Sequence, residues 1–255
     1  MELQFTKYQG TGNDFVLIDN RLGVFPKDDL ELVRKLCDRK FGIGADGLML
    51  IESSEEEDFH MIYFNSDGSK SLCGNGSRCS IHFAHALGII PEQTRFITTD
   101  GAHDAFLKNG WVHFQLHDID QVSEAGEDYF VENGSPHHVK FVEDVEAFDV
   151  FSNGASIRYS DNYQPEGTNV NFIEMTEEGI KVRSYERGVE NETLSCGTGV
   201  TAAAIVAAIK GKSSPVRVQT KGGDLEVSFE RDGDTFKNVF LAGPATPVFE
   251  GRIEI

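Results

Sequence analysis

Cys196-Gly197-Thr198-Gly199-Val200-Thr201-Ala202-Ala203-Ala204-Ile205-Val206-Ala207-Ala208-Ile209-Lys210 is apolar on every side once past its first turn, and it halts at Gly211. A helix from about Thr198 to Lys210 with no polar face must be buried all round, so other elements have to wrap it. Its opening, Leu194-Ser195-Cys196-Gly197-Thr198-Gly199, is nearly repeated in Ser71-Leu72-Cys73-Gly74-Asn75-Gly76. A second helix is expected there, from about Asn75 to Leu87, with Gly88 and Pro91 beyond its end.

Other landmarks recur in the same order. Gly10-Thr11-Gly12-Asn13-Asp14-Phe15-Val16 parallels Gly134-Ser135-Pro136-His137-His138-Val139, and Ala45-Asp46-Gly47-Leu48-Met49 parallels Asn169-Val170-Asn171-Phe172-Ile173. Tyr63-Phe64-Asn65 precedes the first cysteine motif as Tyr185-Glu186-Arg187 precedes the second, with one extra residue in the second connection. Matches in one order predict two related halves. Runs rich in β-branched and aromatic residues predict strands at 16–19, 48–52, 59–64 and 111–116, then at 138–142, 170–174, 180–185 and 225–229. Behind Asp28 and Asp29, the residues Leu30, Val33, Leu36 and Cys37 fall at helical spacing and predict an amphipathic helix.

The reading is an α+β chain of two pseudo-symmetric domains. Each is a strongly curved, mainly antiparallel sheet wrapped around a buried central helix, with the active site expected in the interdomain cleft. Residues 1–116 make the first half, with the last strand, about 246–255, a candidate to rejoin it; residues 117–245 make the second.

The chain carries 23 Lys and Arg against 42 Asp and Glu, a formal charge of −19. That field repels nucleic acid and anionic membrane, so neither is an expected partner. A small anionic substrate must then be held by local donors or bring its own ammonium groups, which favours a zwitterion. The longest apolar run, Val200 to Ile209, is too short to span a bilayer, and residues 1–15 lack a continuous apolar core, so a cytoplasmic location is expected. Cys37, Cys73, Cys79 and Cys196 fit neither a disulfide framework nor a C-x-x-C metal pattern; free thiols and no metal are expected. Gly197-Thr198-Gly199-Val200-Thr201-Ala202 has the spacing of a dinucleotide loop, but the polar Glu190-Asn191-Glu192-Thr193 stands where that fold needs a buried strand.

A cysteine ahead of Gly-x-Gly at a helix start joins a thiol to unpaired N–H donors and the positive end of the helix dipole. Such a position lowers the thiol pKa and attracts an anion. Cys73 and Cys196 therefore read as one thiolate and one thiol near neutrality, a base and an acid that invert one tetrahedral carbon held between them. Their glycine-flanked amides suit a carboxylate whose charge grows in the planar intermediate. Cys37 and Cys79, inside helical segments, read as packing residues.

The conjunction of Gly12-Asn13-Asp14-Phe15, Cys73-Gly74-Asn75-Gly76-Ser77-Arg78, Tyr185-Glu186-Arg187-Gly188 and Cys196-Gly197-Thr198-Gly199 resembles the diaminopimelate epimerase family over essentially the whole chain. The resemblance implies a cofactor-independent epimerase, commonly a homodimer, converting LL-2,6-diaminopimelate to the meso isomer for lysine and peptidoglycan precursors. The substrate is a zwitterionic diamino diacid. By that resemblance Cys73 and Cys196 are the acid/base pair, and Gly74, Asn75, Gly197 and Thr198 cradle the reacting carboxylate. Asn13, Asn65, Asn169, Glu186 and Arg187 hold the substrate, chiefly its distal end, and His137 with Glu186 tunes the thiols. Gly47 stands where many members have Gln, and Ser135 where many have Asn before Pro-His; the segment from Arg187 to Cys196 is one residue longer. The alternatives are a racemase or epimerase of another amino acid, similar to proline racemase and likewise independent of pyridoxal phosphate, and a non-catalytic small-anion binding protein.

Overall fold

The computed structural model describes residues 2–255, and the chain divides into two compact units, Met1–Phe114 with Gly243–Ile255, and Gln115–Ala242. The architecture is α+β, mostly sheet with four α-helices among the described residues.

The first unit contains β1 (Glu2–Gly10), β2 (Asn13–Asp19), α1 (Leu30–Cys37), β3 (Gly47–Glu52), β4 (Phe59–Asn65), α2 (Gly74–Ala86), β5 (Gln93–Thr98), β6 (Gly101–Lys108) and β7 (Trp111–Gln115). The second contains β8 (Val122–Ala125), β9 (Asp128–Glu132), β10 (Pro136–Phe141), α3 (Val150–Arg158), β11 (Asn169–Met175), β12 (Gly179–Glu186), β13 (Asn191–Thr193), α4 (Gly197–Ile209), β14 (Val216–Thr220), β15 (Gly223–Asp232) and β16 (Thr235–Gly243). β17 (Thr246–Glu254) returns to the first unit and pairs with β1.

The two units repeat one pairing scheme. In the first, β17–β1–β2 run antiparallel, β2–β3 parallel, β3–β4 antiparallel, β4–β5 parallel, and β5–β6–β7 antiparallel. In the second, β8–β9–β10, β10–β11, β11–β12, β12–β14 and β14–β15–β16 follow the same sequence of orientations. A parallel pair needs a crossover, and each unit fills its two crossovers with one outer and one central helix.

Period-two alternation assigns the faces. On β2, β3 and β4, the side chains of Val16, Ile18, Leu48, Leu50, Ile62 and Phe64 join Val33 and Leu36 of α1 in one core cluster. In the second unit Val170, Phe172 and Tyr185 cluster with Val150 beside α3. Phe64 and Tyr185 are thus the equivalent residues, and the expected match of Tyr63 with Tyr185 is out by one. Tyr63 faces the other way, toward Gly47 and Phe15. By strand register Gly47 is equivalent to Asn169 and Asn65 to Glu186, so seven residues separate Asn65 from Cys73 and nine separate Glu186 from Cys196.

Both central helices start one residue earlier than expected, with Cys73 and Cys196 as extended-backbone N-caps. From Gly197 to Ala208 every residue of α4 is buried except the half-buried Thr198. Helix α3 is absent from the sequence expectations because Gly154 sits in its middle. A Cβ there would lie 2.4 Å from Cβ of Tyr185, so glycine is what lets α3 lie on β12.

Candidate active site

The first unit carries its cysteine motif at the start of α2. Cys73 is half-buried, and its carbonyl accepts from the Ser77 N–H at 2.7 Å. Its Sγ lies 3.7 Å from Oδ1 of Asn13, on the first residue of β2. Asn13 donates through Nδ2 to Asp46, and the neighbouring Asp14 carboxylate receives Arg39 at 2.9 and 2.6 Å and Lys7 at 2.7 Å. Although burial opposes ionisation of Asp14, hydrogen bonds and charge from Arg39 and Lys7 outweigh it and hold the group far below the usual carboxylate range. Asn75, almost fully buried, donates to Asn13 Oδ1 at 3.4 Å. Asn65 ends β4 and ties the loop that carries Cys73 through Ser69 Oγ at 2.9 Å and Ser71 Oγ at 3.1 Å.

The second unit carries its cysteine motif at the start of α4. Cys196 is buried, its carbonyl accepts from Val200 N–H at 2.8 Å, and its Sγ lies 3.6 Å from Thr198 Oγ1. The Thr198 carbonyl accepts from Asn133 Nδ2 at 2.9 Å. Asn169, first on β11, donates to the Pro136 carbonyl at 3.1 Å and accepts the Arg187 N–H at 2.9 Å, fixing where β12 turns out at Glu186 and Arg187. Thr193 Oγ1 donates to Glu186, while Arg187 is exposed.

The two helix starts rest on different floors. A Cβ on Gly76 would meet Met49 and Phe15; on Gly199 it would meet Asn171 Oδ1 at 2.3 Å and Cys196 Sγ at 3.2 Å. The second glycine of each motif therefore lets the helix start settle onto β3 or β11. Under α4 the floor is polar: Asn171 donates to His137 Nδ1 at 3.1 Å and to the His138 carbonyl at 3.2 Å, and accepts from Ser184 Oγ at 2.7 Å.

His137 is fully buried, and burial first, then the Arg187 charge, pushes its pKa down to about 3, so the ring is neutral. Because the folded pKa lies below the unfolded value near 6.5, the unfolded state binds the extra proton between these values. The stability contribution is complete above about pH 6.5 and is lost as pH falls toward 3. At pH 5 this amounts to about 2 kcal/mol. Urea unfolding at pH 7 and pH 5 should therefore show a smaller loss for His137→Gln than for the parent chain; equal losses would contradict a neutral buried ring.

With the geometry in view, the relatives decide the family. The sequence model of diaminopimelate epimerase matches residues 5–123 and 129–248. The chain belongs to the diaminopimelate epimerase family. It is 50% identical to a diaminopimelate epimerase of Flavobacterium psychrophilum, over 98% of this chain and 100% of the relative. It is 46% identical to one of Aquifex aeolicus, over 98% of each chain. Solved structures with the same fold include a Bacillus anthracis protein of the PhzF family, with TM-score 0.80, 16% identity and 100% of both chains covered. A hydroxyproline epimerase from Agrobacterium vitis gives TM-score 0.71 at 14% identity, covering 99% of this chain and 92% of that one. Membership of the family makes the chain an isomerase. Among the described residues no helix is long and apolar enough to cross a membrane.

Within this family frame, Gly47 has a local explanation. A Cβ at that position would sit 2.4 Å from Tyr63 Cε2 and 2.9 Å from its hydroxyl, so the Tyr63 ring occupies the space a larger residue would need. Gly47→Gln is expected to destabilise the fold by about 1–3 kcal/mol through overpacking, since the Cβ also meets the Phe64 carbonyl oxygen at 2.6 Å; the readout is a lower urea midpoint, and an unchanged midpoint would show that the Tyr63 ring and the β4 backbone both give way. Ser135 is half-buried, and the amide that reaches the first turn of α4 comes from Asn133 instead.

The expected packing cysteines are buried, and burial pushes both Cys37 and Cys79 up to about 12. Sequence reasoning passed over Arg78, Asn133, Asn171 and the Lys7–Asp14–Arg39–Asp46 cluster. Only Arg78 carried a visible signal, as the one Lys or Arg in the helical segment that Cys73 opens.

Proposed function

We propose that this chain converts LL-2,6-diaminopimelate to the meso isomer with Cys73 and Cys196 as its acid/base pair and without a cofactor, in the route to lysine and peptidoglycan precursors. The observation that supports it most is that each unit ends its β4-type strand in a loop delivering a cysteine as N-cap of a buried glycine-opened helix. The thiolate of one cysteine takes the α-proton, and the electron pair moves into the adjoining carboxylate. The thiol of the other delivers its proton to the opposite face, so the two sulfurs exchange protonation states at each inversion. The reading requires both sulfurs to reach one carbon from opposite sides.

The N–H groups at Gly74, Asn75, Gly197 and Thr198 suit the carboxylate as its charge grows. Asn13, Asn65, Asn169, Glu186 and Arg187 take the remaining ammonium and carboxylate groups. Each asparagine is already oriented by the hydrogen bonds given above, Glu186 accepts from an ammonium, and Arg187 forks onto a carboxylate. His137, neutral beneath α4, and Glu186 tune the thiol of that half. The two lobes in this reading are residues 1–116 with 246–255, and 117–245; the division of the compact units close to residues 114 and 242 supports them. A homodimer in the cytoplasm belongs to the same reading.

The test supplies LL-diaminopimelate, proline and 4-hydroxyproline separately to purified protein without pyridoxal phosphate and with a chelator present. Chiral chromatography should find meso-diaminopimelate only. Inversion of the cyclic amino acids alone would make it an epimerase of another substrate, and no turnover of any would favour an anion-binding protein.

A further inference from the structure

Arg78 is fully buried on α2, and among the described residues no carboxylate pairs with it. Its hydrogen-bond partners are all neutral: the Gly74 carbonyl at 3.4 Å, Asn75 Oδ1 at 3.1 Å and Thr11 Oγ1 at 3.2 Å, while its Nε has none. A buried guanidinium without a counter-charge is costly. Its direction makes the cost greater. Helical side chains lean toward the N-terminus, and this one reaches back to Gly74 and Asn75 in the first turn, where the helix dipole is already positive. A cation held at the positive end of a helix is at home only if an anion arrives there.

The second half of the molecule supplies an internal control. Counting five residues on from each cysteine gives Arg78 in α2 and Thr201 in α4. Thr201 Oγ1 donates to the Gly197 carbonyl at 3.0 Å, the counterpart of the Gly74 carbonyl that Arg78 bonds. The same backbone position is thus served by a charge in one half and by a neutral hydroxyl in the other. Thr11, whose φ of 49° belongs to the two-residue turn that joins β1 to β2, places its hydroxyl between Arg78 and Asn75.

We infer that Arg78 is a positioning residue whose buried charge stabilises the Cys73 thiolate, so that Cys73 is the more acidic thiol and Cys196 the proton donor in the resting chain. The other charged groups on elements packed against α2 balance: Lys7 and Arg39 face Asp14 and Asp46 in one ion network. Tyr8 and His82 are bonded to each other, and burial raises the former and lowers the latter, so both are uncharged at neutral pH. Against the inference stands the 3.7 Å contact from Cys73 Sγ to Asn13 Oδ1, which favours the protonated thiol. It is long, shared with Asn75, and weaker than a full charge in a buried setting. In the other half His137 is neutral, and Glu186 and Arg187, consecutive where β12 ends, have opposite signs.

The inference draws its catalytic meaning from the proposed epimerisation, but its test needs no substrate. The full-length protein is alkylated with iodoacetamide from pH 5 to 9, and the midpoint of each cysteine's profile is read by peptide mass spectrometry. In the parent chain Cys73 should titrate at lower pH than Cys196. Arg78→Met should move the Cys73 midpoint up by about one unit, roughly tenfold slower labelling on the acid side, and leave Cys196 in place; Arg78→Lys should restore most of the shift. A folded Arg78→Met protein with an unmoved Cys73 midpoint overturns the inference. Should that variant fail to fold, the parent chain decides alone: Cys196 titrating first overturns the inference, Cys73 first supports it. Either result leaves the two-thiol epimerisation to its own test.

Discussion

Cys73→Ala and Cys196→Ala should each lower the rate of diaminopimelate inversion by about 10³-fold or more, toward the upper range for loss of a positioned acid or base. The two losses should not add, because inversion needs a donor and an acceptor on opposite faces and either absence stops it. Folding should survive both changes. Each cysteine caps its helix through its backbone, with no side-chain cap bond, and an alanine keeps the carbonyl that accepts from Ser77 or Val200. Chiral chromatography of product against time checks the rate, and circular dichroism checks the fold. A single variant retaining a tenth of the parent rate would remove that cysteine from the reaction.

Gly199→Ala should be the more damaging of two matched substitutions, although a simple reading of overlap says the opposite. An added Cβ on Gly76 would come within 1.7 Å of Met49 Cε, nearer than the 2.3 Å from Gly199 to Asn171 Oδ1. Met49 Cε is the end of a flexible thioether that rotates away at modest cost. Asn171 is pinned by His137, the His138 carbonyl and Ser184, so the methyl must lift the start of α4 and carry Cys196 with it. The expected outcome is a loss of turnover of about 10²-fold, the scale of a displacement near 1 Å at a reacting group, with about 1–3 kcal/mol of destabilisation. Gly76→Ala should lose several-fold less. Equal kinetic effects would mean that the polar floor under α4 is not rigid.

The halves were legible because the chain wrote the same helix start twice, and because α4 has no polar face to leave exposed. Register was not. Tyr63 and Tyr185 match as letters but point to opposite faces, and only strand pairing shows that Phe64 is the partner of Tyr185 in the repeat. A slip of one residue is invisible to a similarity count yet exchanges both faces of a strand. Helix α3 escaped for a comparable reason, since Gly154 reads as a breaker until Tyr185 is seen beneath it.

The cysteines could be picked out by motif, whereas the groups that hold them are scattered. Asn171 is bonded to His137 across a parallel strand pair, and Asp46 reaches Asn13 across another. Polar residues of this kind look like ordinary strand or turn positions until strand pairing brings them within bonding distance of one another.

The central claim, that two thiols work on one α-carbon, is tested most directly by running the reaction in deuterium oxide and locating the isotope. The purified chain, given LL-diaminopimelate, should place deuterium at the inverted α-carbon of the meso product, and the Cys73→Ala/Cys196→Ala double variant should place none. Inversion without α-deuterium, or deuterium incorporation that persists in the double variant, would contradict it.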